Sequence, residues 1–264
     1  MSRLVAEEVK VTSMSRVLLI DGDVMLYQNC TVVEVAFDWG DDIWTLHSDA
    51  RAAKHLTDNW LAALKEDLNA DKIEVAFSDK KNFRKMILPT YKYHRKSSRK
   101  PLAFHAVKEY VSEVYKSTVM PWLEADDVLG IWATDPKRKD EQIVVTIDKD
   151  LLTIPGLHYN PTKPDQGVIE IDDRTATYNH LYQTLTGDSV DGYKGCPGIG
   201  PVTAGRLLKK DQSWDTVLEA YSSAGLEAED ALVQARVARI LHWEDYDQKA
   251  QEVIEWQPYQ EANC

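Results

Sequence analysis

Cysteine is scarce: 264 residues contain only Cys30, Cys196 and Cys264. An odd number at wide spacing argues against a disulfide framework and against a zinc site, so all three read as reduced thiols. Long apolar runs are missing too. The longest purely aliphatic run is Val17 to Ile20, far short of the roughly 20 residues that cross a bilayer. No apolar stretch at the N-terminus resembles a signal peptide. The expectation is a soluble, cytoplasmic chain with no membrane partner. Internal repeats and low-complexity linkers are absent. One stretch also lacks acid altogether: from Lys80 to Lys100 there is no Asp or Glu, in a chain of net charge −12.

That stretch changes what the net charge implies. Binding to phosphate is largely counterion release driven by Lys and Arg, so −12 points away from nucleic acid. Yet Lys80, Lys81, Arg84, Lys85, Lys92, Arg95, Lys96, Arg99 and Lys100 are concentrated here, leaving 22 basic residues against 43 acidic ones elsewhere. A solvated loop is the plainer reading of a charge run. Tyr91 and Tyr93 inside it, and Asp79 just before it, favour a positive face that serves a site.

A chain of this length, 44% hydrophobic, can bury one sizeable core or a core plus a small module. Residues 1–13 are polar and without period and read as a flexible leader, with Met14 as an alternative start. Three short apolar segments then each stop at a carboxylate: Arg16 to Ile20 at Asp21, Ile73 to Phe77 at Asp79, and Ile143 to Ile147 at Asp148. Each reads as a buried strand. Between them, Asp49 to Leu68 and Pro101 to Lys116 carry helical spacing. Strands alternating with helices predict an α/β fold with a mostly parallel central sheet flanked by helices, with ligands at the carboxyl ends of the strands. This core is expected over residues 14–183. From 184 to 264 the pattern is helical, with helices expected at Val202 to Leu208, Ala231 to Leu241 and Tyr246 to Trp256.

The topology brings Asp21, Asp79, Asp148 and Asp150 to one edge. Glu124-Ala-Asp126-Asp127 and Asp188-Ser-Val-Asp191 join them, because positions three apart share a helix face. Most single acids are caps or surface pairs. Nine together, however, would repel and force protons onto one another unless a cation joined them. Oxygen-only ligands select hard ions such as Mg²⁺ or Mn²⁺.

The string Gly187-Asp188-Ser-Val-Asp191-Gly-Tyr-Lys-Gly195-Cys-Pro-Gly198-Ile199-Gly200 resembles the signature of the 5′-nuclease family, the flap endonucleases and 5′-3′ exonucleases. There, two metal-binding aspartates run into a helix-hairpin-helix. Asp21, Phe77-Ser-Asp79, the Glu124 cluster and Asp148-Lys-Asp150 match that family in order. The tail from Ala238 to Pro258 is similar to the end of the T7-type phage exonucleases. The resemblance implies a PIN/FEN-like nuclease core with a basic, arch-like segment at 80–118, and a C-terminal helix-hairpin-helix region.

It further implies hydrolysis of phosphodiesters near the 5′ end of duplex, flap or nicked DNA, and of RNA in RNA–DNA hybrids. Two metals about 4 Å apart would clamp the attacking and leaving oxygens. Asp79, Glu124, Asp126, Asp127 and Asp21 would hold one, and Asp148, Asp150, Asp188 and Asp191 the other. Lys92 and Arg95 would act on the scissile phosphate, and Tyr91 would stack on a base. Lys80, Lys81, Arg84, Gly198, Ile199, Gly200 and Val202 would touch DNA, with K⁺ at the hairpin and a monomeric enzyme. The 44 residues between Asp79 and Glu124 imply a short or open arch. Two other readings start from the same residues: a DNA-binding module without catalysis, and a HAD-like phosphatase with Asp21 as covalent nucleophile.

Overall fold

The computed structural model describes residues 14–94 and 99–258. Five strands follow the predicted parallel arrangement. Strand β1 (Arg16–Asp21) lies between β4 (Lys72–Phe77) and β6 (Glu141–Val145), with β5 (Lys116–Val119) outside β4 and β7 (Gly156–Tyr159) outside β6. An antiparallel edge strand, β8 (Val168–Ile171), closes the order β5-β4-β1-β6-β7-β8. The central strands are apolar on both faces because helices cover both.

The strand alternation sorts the core into two layers. Leu18, Ile20, Val75, Phe77, Ile143 and Val145 pack under α1 (Gly22–Val32), α2 (Ala50–Asp67) and α4 (Phe104–Val114). Val17, Leu19, Ala76 and Val144 meet α5 (Ala125–Ala133) and the segment at Ile240 and Leu241. The turn from β1 into α1 is tight: a Cβ at Gly22 would stand 2.4 Å from the Phe77 ring and 2.7 Å from the Ala76 carbonyl oxygen. Only glycine lets α1 start there.

Beyond the sheet, α6 (Asp173–Thr186), α7 (Pro201–Lys210), α8 (Trp214–Ser223) and α9 (Ala228–Ala238) enclose a third cluster around Leu185, Leu208, Val217 and Tyr221. The expected boundary at 183/184 falls inside α6. Two helix expectations are corrected. The helix read to Leu241 ends at Ala238, where the chain turns to deliver Arg239–Leu241 to the sheet. The stretch read as helical from Tyr246 to Trp256 instead forms a small antiparallel pair, β9 (Tyr246–Asp247) with β10 (Glu252–Val253). Tyr246 is buried in the second core layer with Val253 packed against it, and Trp256 packs edge-on against His180 and Trp214. A further hairpin, β2 (Glu34–Asp38) with β3 (Trp44–Ser48), stands apart from the main sheet. Cys30 and Cys196 are buried free thiols, and among the described residues no helix is long and apolar enough to cross a membrane.

Candidate active site

Each acidic segment owes its place to a strand end or a helix start. Asp21 ends β1 and caps α1, accepting from the Val24 N–H at 3.1 Å. Glu124 is the residue before α5. Asp148 follows β6 and caps a 3-10 turn, accepting from the Asp150 N–H at 2.9 Å. Asp188 accepts from the N–H groups of Val190 and Asp191 at 2.7 and 3.1 Å, in the loop after α6. The N-termini of α1 and α5 thus lie against the acids, where helix dipoles favour negative charge. Gly187 holds that loop: its φ is +66°, and a Cβ there would be 2.3 Å from Lys194.

The carboxylates sense one another. Burial, then the charges of Asp23 and Asp148, raise the Asp21 carboxyl to about 7 against a hydrogen bond from Val24. Asp126 is raised well above the usual carboxylate range by burial and then by Asp21 and Asp148. Asp150 rises to about 7 through burial, then Asp148, with Asp188 and Asp191 adding to it. Asp21, Asp126, Asp148, Asp150, Asp188 and Asp191 are therefore one electrostatic unit. Such a unit stays ionised near neutral pH only with added positive charge.

Part of that charge is built in. Lys92 donates to Glu124 Oε1 at 2.8 Å and lies 3.3 Å from Asp191 Oδ2. Burial would raise the Glu124 carboxyl, but Lys92 and Arg84 outweigh it and hold it at about 2. Lys92 takes the left-handed backbone conformation, φ +50°, rare for a side-chain-bearing residue and typical of functional sites. Its N–H donates to the Asp191 carbonyl at 2.7 Å, which stitches the basic segment to the loop after α6. Among the described residues no three of His, Cys, Asp or Glu already stand in metal-ligand geometry. The buried, mutually repelling and oxygen-only donor set nonetheless fits a hard divalent cation.

Three expectations are corrected. Asp127 does not face the acidic group; it is fully buried and paired with Arg84. Arg84 is 1% exposed and spends its donors on Asp127 and on the carbonyls of Val237 and Arg239, so it cannot reach DNA. Tyr91, expected as a stacking platform, is 3% exposed, and its hydroxyl donates toward Glu124 at 2.8 Å and Asp191 at 3.1 Å. Asp79 stands just past the end of β4, and its oxygens accept from the N–H groups of Trp122 and Lys80, which hold its carboxyl down; it stays a candidate ligand, as do Asp21, Asp148 and Asp188, which accept backbone N–H groups in the same way. Arg95 lies outside the described residues.

Lys80 is exposed, Lys81 sits over the Trp122 ring at 4.5 Å, and Tyr93 is 63% exposed. At the hairpin before α7, Gly198 (φ +77°), Gly200 and Val202 are exposed, Val202 by 85%, while Ile199 packs inward. Asp23, absent from the expected set, also belongs to this region: its Oδ2 accepts the Ser78 N–H at 2.8 Å. The signal was its spacing, two residues beyond Asp21 on the strand-to-helix turn.

A parallel sheet with a carboxylate group at its carboxyl edge, a buried lysine among the acids and an exposed helical hairpin beside them define a phosphodiester-cleaving class of α/β enzyme. The chain belongs to the 5′-3′ exonuclease family, matching the model of its N-terminal resolvase-like domain over residues 16–178. It is similar to the exodeoxyribonuclease of Enterobacteria phage T3, 27% identical over 92% of this chain and 93% of the relative. The exonuclease of Escherichia phage T7 is 26% identical with the same coverage. In fold it is similar to the phage T5 5′-exonuclease solved with zinc ions, with a TM-score of 0.61, 14% identity, and 84% of this chain and 93% of that chain covered.

Proposed function

We propose that the chain is a divalent-metal-dependent 5′-3′ exonuclease and flap endonuclease that hydrolyses phosphodiesters of duplex, flap or nicked DNA near the 5′ end, and of RNA in RNA–DNA hybrids. The observation that carries this is the mutual repulsion of Asp21, Asp126, Asp148 and Asp150 at the sheet edge, in a chain of the exonuclease family. T3 and T7 relatives named exodeoxyribonuclease and exonuclease support it. So does a T5 flap endonuclease solved with DNA and metal ions, similar in fold with a TM-score of 0.59.

Asp21, Asp79, Glu124, Asp126, Asp148, Asp150, Asp188 and Asp191 are the groups that would hold Mg²⁺ or Mn²⁺, two ions by the two halves of the acidic set. Bound there, the metal supplies a water of lowered pKa and charge for the phosphate oxygens. The chain's own part is positioning. Lys92, paired with Glu124 and Asp191, would stabilise the charge on the scissile phosphate. Tyr91 keeps Glu124 and Asp191 in register through its hydroxyl. Gly198, Gly200 and Val202 present the N-terminus of α7 to a backbone phosphate, reading no base, and K⁺ would sit at that turn. Lys80 and Lys81 extend the positive edge. The enzyme acts as a monomer in the host cytoplasm.

The test is cleavage of a 5′-labelled duplex with Mg²⁺ and with EDTA, by the wild type and Asp148→Ala. Metal-dependent release of short 5′ products, lost in the variant, is the expected result. DNA binding without cutting in either Mg²⁺ or Mn²⁺ would leave only a binding module. Metal-independent turnover of a small phosphate ester would favour the phosphatase.

A further inference from the structure

At the opposite edge of the sheet from the acids, the amino ends of β4 and β5 and the end of α2 border an open cavity of about 890 Å³, within the range of small-molecule sites. In a chain of net charge −12 its lining is positive: Lys65, Lys72, Lys116 and Arg138 against Glu74 and Asp140. Concentrated positive charge against the sign of the whole molecule is a local attractor for anions.

The site is built rather than incidental. Glu74 is 96% removed from solvent, at 4% exposure, and its Oε1 takes both Lys116 at 2.8 Å and Arg138 at 2.9 Å. Arg138 is itself largely buried, its guanidinium 5.6 Å from the Trp132 ring centre. One carboxylate thus orients two cations, and the pair keeps a net positive charge. The other oxygen, Oε2, is closed off from solvent and finds no donor among the described residues, so it braces the floor from behind and does not face the cavity. One wall is apolar, formed by Val114 beside Tyr115, whose hydroxyl is anchored on Asp58 at 2.8 Å.

Cations beside an apolar wall together describe a ligand with a phosphate and a flat apolar body. We propose that this cavity binds a 5′-nucleotide, with its phosphate among Lys72, Lys116 and Arg138 and its base or sugar against Val114 and Tyr115. The nucleotide is either free or the 5′-terminal unit of a strand. The site is separate from the catalytic edge and needs no divalent metal.

Calorimetric titration of the full chain in EDTA tests this, with deoxyadenosine 5′-monophosphate, deoxyadenosine, inorganic phosphate, and a tetranucleotide with and without its 5′-phosphate. The variant is Lys72→Gln/Lys116→Gln, whose side chains are 56% and 68% exposed; Arg138 keeps Glu74 paired, and a thermal melt checks that the variant is folded. Asp148→Ala serves as the control for the catalytic edge. Saturable one-to-one binding of the monophosphate is expected, at least tenfold weaker in the double lysine variant and unchanged in Asp148→Ala. Phosphate and deoxyadenosine alone should each bind at least tenfold more weakly. A phosphorylated tetranucleotide that matches the monophosphate assigns the site to strand ends; one that binds less well assigns it to free nucleotide. No saturable binding, phosphate equal to the monophosphate, an unchanged double lysine variant, or loss in Asp148→Ala would each overturn the proposal.

Discussion

Arg84 and Asp127 meet in a two-pronged ion pair closed off from solvent, Nη1 to Oδ2 at 2.7 Å and Nη2 to Oδ1 at 2.6 Å. Asp127 also accepts from the N–H groups of Glu124 and Leu241, and Arg84 donates to the carbonyls of Val237 and Arg239. The pair therefore clamps the start of α5, the short helix α3 (Arg84–Ile87) and the chain after α9 together. Removing one partner strands a buried charge, which costs about 3–5 kcal/mol. Arg84→Met should show that loss in urea denaturation, and Arg84→Lys should rescue little of it, because lysine cannot make the fork. Arg84→Met combined with Asp127→Leu should lose much less than the two single variants added together. Additive losses would mean that the clamp is not a unit.

The outline of the fold was legible because strand and helix periods are written in apolar residues, and because Asp21 and Asp148 end apolar runs. Which acid faces which was not legible. Asp126 and Asp127 are adjacent and chemically alike, and only the buried arginine 43 residues earlier decides that one joins the acidic group while the other braces the core. Tyr91 misled in the same way: its basic neighbours suggested exposure, whereas Glu124 and Asp191 draw its hydroxyl inward. The β9–β10 pair was read as helix because its apolar positions recur at a spacing that a turn between two short strands can also produce.

The acidic group fixes a pH dependence. Asp21 and Asp150 have carboxyls raised to about 7 in the folded chain from an ordinary value of 3.8. The folded state then binds more protons than the unfolded state between those values. These groups therefore cost the metal-free protein stability progressively as pH rises from about 4 to about 7. Glu124, held at about 2, acts with the opposite sign and in a lower window, losing its contribution as pH falls below 4.5. Mg²⁺ binds the ionised acids, so its stabilising effect should be larger at pH 7.5 than at pH 5.5. Thermal melts in EDTA and in Mg²⁺ at both pH values check this. An equal Mg²⁺ shift at the two would show that these carboxyls do not change protonation on loading.

Tyr91→Phe separates positioning from stacking. The ring survives, so a stacking platform would lose nothing. The hydroxyl that bridges Glu124 and Asp191 does not, and a hydrogen bond to a charged group contributes about 1.5–3 kcal/mol. Single-turnover cleavage of a labelled duplex at saturating enzyme should slow about 10- to 100-fold, with DNA affinity in Ca²⁺ little changed. Wild-type rates would restore the exposed-platform reading.

Ser78 joins three of the segments that carry the acids. Its N–H donates to Asp23 Oδ2 at 2.8 Å, its Oγ accepts from the Ala125 N–H at 3.0 Å, and Lys108 Nζ reaches its carbonyl at 3.4 Å. Through these contacts the start of α1, the end of β4 and the start of α5 are held in one register, which sets where Asp21, Asp79 and Asp126 stand. Asp23 needs only an acceptor for this task, and its charge raises the Asp21 carboxyl. Asp23→Asn should therefore keep the register, and in removing a like charge it should move the acidic limb of the pH–rate profile to lower pH. Asp23→Ala releases the Ser78 N–H and should lower the single-turnover rate about tenfold, the cost of one such hydrogen bond, without weakening DNA binding. If the asparagine variant loses as much activity as the alanine variant with no shift of the limb, Asp23 contributes its charge to the cation site rather than register to the loop.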